Sequence, residues 1–154
     1  MKRRPFRSKW QRDTNILARV VTGVLPTPEG LLERQRMTEL QAIEAFAKGY
    51  ATPDDFRVMC DVLNVAETMA LSGIGKEEVL PVCAAVQGEL ITAKERHDRT
   101  GSLTLTAAGL KGLRDLWAFH DIQRQSVDWA GYERAIVKTG NKIRSAHPSN
   151  RELV

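Results

Sequence analysis

The sequence predicts an all-α fold, a helical bundle of about five helices with a basic extended N-terminal arm. Three observations predict it: apolar residues recur with a helical period, capping signals precede these runs, and glycines follow two of them. The one strand-like stretch, at 103–105, is too short to build a sheet. We divide the chain into a basic arm and apolar strap at 1–25, a helical bundle at 26–147 and a short tail at 148–154.

The first two predicted helices share one start signal. The triplets TPE at 27–29 and TPD at 52–54 each place a threonine hydroxyl, a proline and an acid in the order that favours a helix N-terminus. Gly49 and Gly73 follow the apolar runs where a helix commonly ends. The short link between the two helices predicts an antiparallel pair. These helices are predicted over residues 28–48 and 53–72.

The other three helices have weaker boundaries. Pro81 is tolerated only near the start of the third helix. Thr106 is placed to cap the fourth helix, with Leu105 and Leu110 spaced as a hydrophobic staple, and Ser126 is expected to cap the fifth. The three helices are predicted over about 76–97, 106–124 and 126–146.

The second helix is expected to be the most buried. Its apolar stripe comprises Phe56, Met59, Val62, Leu63, Ala66 and Ala70. Val58, Cys60, Val65 and Leu71 widen this stripe on both sides. Only a narrow polar strip is left for solvent, namely Arg57, Asp61, Asn64 and Thr68. A helix that is apolar over most of its circumference is typical of the centre of a bundle.

The chain carries no recognisable catalytic motif. It has no glycine-rich phosphate loop and no hydrolase or metalloprotease signature, and none of its three histidines follows a glutamate by three residues. We therefore predict no catalytic residues, no metal and no cofactor. Two cysteines within apolar segments suit a reducing compartment, and no apolar run approaches the length of a membrane span. We expect a cytoplasmic protein with no membrane partner.

Two groups of residues leave alternatives open. Cys83 and His120 fall at the same level of the predicted hairpin between the third and fourth helices, so they could form a nucleophile and its base. The structural alternative is a core thiol beside a hydrogen-bonded histidine. Arg124 lies on the inward stripe of the fourth helix and must be paired there, with Asp121 as a candidate, unless it lines a polar ligand pocket.

Positive charge is concentrated at the N-terminus. Residues 1–12 carry six basic side chains and no acidic one, whereas the remaining 142 residues carry 17 basic and 19 acidic groups. Phe6 and Trp10 are interspersed among these charges. Such an arm can contact phosphates and stack on bases, or it can anchor on an acidic protein surface.

Two further features favour binding over catalysis. Phe119 and Ile122 lie outside the apolar stripe of the fourth helix, as an interface would require, unless the strap at 14–25 covers them. A basic strip, formed by Arg134, Lys138 and Lys142, follows the outer face of the fifth helix, although basic residues there also complement the helix dipole. The predicted partner-binding residues are Arg3, Arg4, Phe6, Arg7, Lys9, Trp10, Arg12, Phe119, Ile122, Arg134, Lys138 and Lys142.

Two stretches together resemble a known group of proteins. They are ATPDDFRVMCDVLNVAETMALSGIGKEE at 51–78 and RTGSLTLTAAGLKGLRDLWAFHDIQRQ at 99–125. They resemble small uncharacterised helical proteins encoded by prophages and plasmids of proteobacteria, over about residues 45–130. The resemblance rests on patterning and carries over no functional residue. It implies an accessory protein, of which anti-CRISPR proteins that bind a host protein are one class, while others bind the element's own DNA or replication proteins.

The sequence thus predicts a non-enzymatic accessory protein of a phage or plasmid. It would bind and inhibit or remodel a host protein complex, including one that itself holds nucleic acid, and a CRISPR effector is one candidate target. The alternative is a nucleic-acid-binding accessory protein that uses the arginine-rich arm.

Overall fold

The computed structural model describes residues 28–146, which form five α-helices and no strand. This confirms the all-α prediction for the described part of the chain. The arm and strap at 1–25, Thr27 and the tail at 148–154 lie outside it. The helices are α1 (Pro28–Lys48), α2 (Pro53–Leu71), α3 (Lys76–Thr100), α4 (Ala107–Gln125) and α5 (Trp129–Ser145).

The predicted capping signals are found at the starts of α2 and α4 and at the ends of α1 and α2. At the start of α2, Thr52 Oγ1 accepts from the Asp55 backbone N–H at 3.3 Å, while Asp55 Oδ2 accepts from the Thr52 N–H at 2.8 Å. Thr106 caps α4, because its Oγ1 accepts a backbone N–H three residues on at 2.9 Å. Gly49 and Gly73 have φ of +80° and +98°, the left-handed backbone that glycine adopts without strain after a helix.

The predicted start of α5 is wrong. Ser126 ends α4 instead, since its N–H bonds to the Ile122 carbonyl and its hydroxyl donates to the Gln123 carbonyl at 2.8 Å. Asp128 is the N-cap of α5, where its Oδ1 accepts the Gly131 N–H at 2.7 Å. Serine and aspartate both favour an N-cap, but the backbone N–H of Ser126 is already hydrogen-bonded within the last turn of α4.

Helix α2 is the centre of the bundle, as predicted, and it packs against each of the other four helices. Eleven of its 19 residues are buried. All six residues of its predicted stripe are among them. The prediction is wrong for Leu71, which is 55% exposed at the helix end, and for Asn64 and Thr68, which are buried. Helix α5 covers the C-terminal end of the polar strip, where the Thr139 hydroxyl lies 2.8 Å from that of Thr68.

The apolar core has two parts. The main cluster joins α1, α2, α3 and α4, with Met59, Leu90 and Leu116 fully buried. A second cluster joins α2 to α5 and includes Met69 and Ile136. Within residues 28–146, no helix is both long and apolar enough to cross a membrane.

Candidate functional site

A buried ion pair joins α1 to α4. The Arg124 guanidinium donates to both oxygens of Glu39, from Nη1 to Oε1 at 2.9 Å and from Nη2 to Oε2 at 2.8 Å. Both side chains are only 3% exposed. Asp121 lies at 3.3 Å from Nη2 as a second acid. The prediction that Arg124 must be paired is confirmed, but Glu39, its main partner, was not foreseen.

Further polar side chains complete this buried charge network. Trp117 Nε1 donates to Glu39 Oε2 at 2.8 Å, so this carboxylate accepts three hydrogen bonds. Asp121 Oδ2 accepts from Arg36 Nη2 and from Gln125 Nε2, both at 2.9 Å. Two acids and two arginines thus balance one another. The positive and negative charges of the network compensate one another, so the network offers a ligand no unbalanced charge.

His120 lies beside this network and is held in one tautomer. The amide nitrogen of Gln123 donates to the backbone carbonyls of Ala66 at 3.2 Å and Ile74 at 2.8 Å. The amide oxygen of Gln123 therefore faces His120 Nδ1, 3.2 Å away. Since that oxygen can only accept, Nδ1 carries the proton of the neutral ring. The imidazole is thereby positioned by a fixed polar partner inside the bundle.

Burial keeps the ionisable rings of this region neutral. Burial and the nearby Arg124 guanidinium lower the pKa of His120 to about 3, against the opposing effect of its Gln123 hydrogen bond. Burial also raises the pKa of Tyr132 to about 12, and the Tyr132 hydroxyl accepts from Gln35 Nε2 at 3.0 Å. General acid–base catalysis works best with a pKa near the operating pH. Neither ring meets that condition near neutrality.

The Cys83–His120 pair gains no support as a nucleophile and base. Cys83 is buried, and burial raises the pKa of its thiol to about 12, with the Glu67 carboxylate adding to the rise and the Lys142 ammonium opposing it. A thiol with so high a pKa stays protonated near neutral pH, whereas a nucleophilic cysteine needs a thiolate. His120 makes its hydrogen bond to Gln123. The structural interpretation of both residues fits these observations.

An open apolar groove runs between α1 and α4, beside the buried charge network. We call it the α1–α4 groove, and its volume is about 430 Å³. It is lined by Met37, Leu40, Gln41, Ile43, Glu44, Arg114 and Trp117. Met37 is 49% and Leu40 is 41% exposed. This groove was not predicted from the sequence, although the apolar residues at 37 and 40 stand three apart on one face of a helix.

The predicted binding residues of α4 differ in exposure. Phe119 is half-buried and packs against the main cluster. Ile122 is 62% exposed. Ile122 is therefore the member of this pair that offers apolar surface to another molecule. The predicted arm residues, from Arg3 to Arg12, lie outside the described residues.

The basic strip of α5 only partly faces outward. Arg134 is exposed. Lys138 Nζ lies 3.2 Å from Ser72 Oγ, and Lys142 Nζ lies 2.6 Å from Glu67 Oε2. The prediction that all three share an outer face is wrong for Lys142, which is half-buried and turned towards α2 by this ion pair.

Residues 28–146 contain no group of three or more histidine, cysteine or acidic side chains placed to hold a metal ion. Comparisons with protein-family models, curated proteins and solved structures find no match to this chain.

Proposed function

We propose that the protein is a non-enzymatic accessory protein of a phage or plasmid that binds and inhibits or remodels a host protein complex. A CRISPR effector is one candidate target. The observation that carries the proposal is the separation of charge along the chain. Residues 1–12 hold six basic groups, whereas residues 28–146 hold 15 basic and 17 acidic ones. A discrete basic arm on a near-neutral bundle suits a specific docking contact.

Charge also guides the choice of target surface. A mimic of DNA needs a strongly acidic surface, which a chain of net charge +4 does not supply. The arm instead suits an acidic protein face, where its charges steer association and Phe6 and Trp10 act as aromatic anchors. Ile122 adds an exposed apolar side chain on α4. The carboxylates of Glu39 and Asp121, by contrast, already accept hydrogen bonds from side chains of the bundle.

The test is affinity capture of the tagged full-length protein from a proteobacterial lysate, with and without nuclease. We expect a specific protein that remains bound after nuclease treatment. A variant with Arg3, Arg4 and Arg7 changed to Gln should lose it. The matched control changes three exposed basic residues of the bundle, Arg34, Lys76 and Arg99, to Gln and should retain it. Capture that disappears with nuclease would contradict the proposal.

A second candidate function is nucleic-acid binding through the arm. The observation that favours it is the interleaving of arginines with Phe6 and Trp10, since arginine contacts phosphates and aromatic rings stack on bases. It predicts binding to single-stranded RNA or duplex DNA that weakens steeply with salt. The arm variant should bind more weakly and with a shallower salt dependence. No measurable binding by the full-length protein would exclude this function.

A further inference from the structure

The α1–α4 groove is an apolar surface with no occupant among residues 28–146. Met37 and Leu40 stand exposed on its α1 side, and Trp117 forms part of the α4 side. The Trp117 indole is fixed there by its hydrogen bond to Glu39. Burial of exposed apolar side chains is favourable by about 25 cal/mol per Å² of apolar surface. A concave surface of this kind suits the docking of an apolar segment.

We propose that the α1–α4 groove is the docking site of the strap, residues 14–25 of the same chain. Seven of the twelve strap residues are apolar, and Arg19 is its only charged residue. Only Pro26 and Thr27 separate the strap from the first residue of α1. The segment is therefore tethered to one of the two helices that form the groove, so docking within the chain has a high effective concentration.

The distances allow this docking. With a rise of about 1.5 Å per helical residue, Met37 lies about 14 Å and Glu44 about 24 Å from Pro28 along the α1 axis. A chain can cover at most about 3.3–3.6 Å per residue. Some four to eight residues before Pro28 therefore suffice, roughly, to span this interval. Val20, Val21 and Val24 fall in that part of the strap.

The groove is a better site for the strap than the outer face of α4. There Ile122 is exposed, while Phe119 beside it already packs on the main cluster. The groove instead offers two exposed apolar side chains on α1 and the Trp117 ring, in a concave surface. Docking here would attach the segment that follows the basic residues 1–12 to the bundle. The inference does not depend on the proposed function.

The test is photocrosslinking of the full-length protein with p-benzoylphenylalanine in place of Leu40. We expect a crosslink at the mass of the monomer that joins the tryptic peptide 37–48 to a strap residue, either in peptide 13–19 or in the 20–25 part of peptide 20–34. The matched control carries the same probe at Ile122, which is also exposed and apolar, and should give no crosslink to these peptides. A crosslink at the mass of a dimer would assign the groove to a second copy. That result, no crosslink from Leu40, or a strap crosslink from Ile122 would overturn the proposal.

A double-mutant cycle provides an independent measurement. Val21→Asp and Leu40→Asp should each lower the Tm of the full-length protein, and the double variant should lower it by less than the sum. Two residues that share one contact are non-additive, whereas distant residues are additive. Additive shifts would overturn the docking of the strap at Leu40.

Discussion

The main apolar cluster and the buried charge network lie side by side in α4, where Leu116 belongs to the first and Trp117 to the second. Leu116 is fully buried among apolar neighbours, whose attraction has little directional preference. Arg124 and Glu39 meet instead through two hydrogen bonds of fixed geometry. Burial of apolar surface is the dominant favourable contribution to folding in general. We infer that the charge network contributes chiefly by defining the position of α1 against α4.

The largest effect is expected from breaking this network on one side. Glu39→Ala would leave Arg124 buried without its main counter-charge, which should lower the free energy of unfolding by about 3–5 kcal/mol. Leu116→Ala in the apolar cluster should lower it by about 2–5 kcal/mol through a cavity. Urea denaturation measures both. A loss below about 1 kcal/mol for Glu39→Ala would mean that Arg124 finds water or another partner.

The next effect is a pH dependence of stability that arises from His120, beside the buried charge network. The pKa of His120 is about 3 in the folded protein and 6.5 as the ordinary value, so the unfolded chain binds the extra proton between these pH values. Stability should therefore fall as pH falls below 6.5, by at most about 1.4 kcal/mol per pH unit from this group. His120→Gln should reduce that slope between pH 6.5 and 5, above the range where most carboxylates titrate. An unchanged slope would contradict a neutral buried His120.

A smaller effect distinguishes two residues at the junction of α4 and α5. Asp128→Ala removes the N-cap of α5 and should lower the free energy of unfolding by about 1 kcal/mol. Ser126→Ala removes only a hydroxyl bond to the Gln123 carbonyl, so it should have the smaller effect. Thermal or urea denaturation of the two variants gives the order. The reverse order would show that Ser126 caps α5 after all.

The smallest effect on stability is expected at the exposed face of α4. Ile122→Asp should change the free energy of unfolding by no more than about 0.5 kcal/mol, because the side chain is 62% exposed. It should nevertheless weaken capture of the protein partner. Ile91→Asp on α3 is the matched control and should leave capture unchanged. Equal capture by both variants would remove Ile122 from the contact surface.

Local signals in the sequence explain why the helices were predictable. Thr52 and Thr106 act on backbone groups within a few residues, so their caps can be recognised without any knowledge of the fold. The period of the apolar residues likewise defined the buried face of α2. Arg124 on the inward face of a helix predicted a buried acidic partner, because an unpaired buried charge is unfavourable.

Relations between distant segments could not be predicted in this way. Glu39 lies 85 positions before Arg124, and their contact depends on how α1 is placed against α4. Asn64 and Thr68 looked like a solvated strip because nothing local indicates that the fold buries them. The α1–α4 groove could not be predicted for the same reason, since it exists only where two separate helices meet.

The coupling between Glu39 and Arg124 is measured by the double-mutant cycle of Glu39→Met and Arg124→Met, followed by urea denaturation. Each single variant should lose about 3–5 kcal/mol, because it leaves one buried charge without its main partner. The double variant should be more stable than either single one, because methionines fill the same space without a charge. A double variant that loses the sum of the two single effects would contradict the account, since the two residues would then act independently.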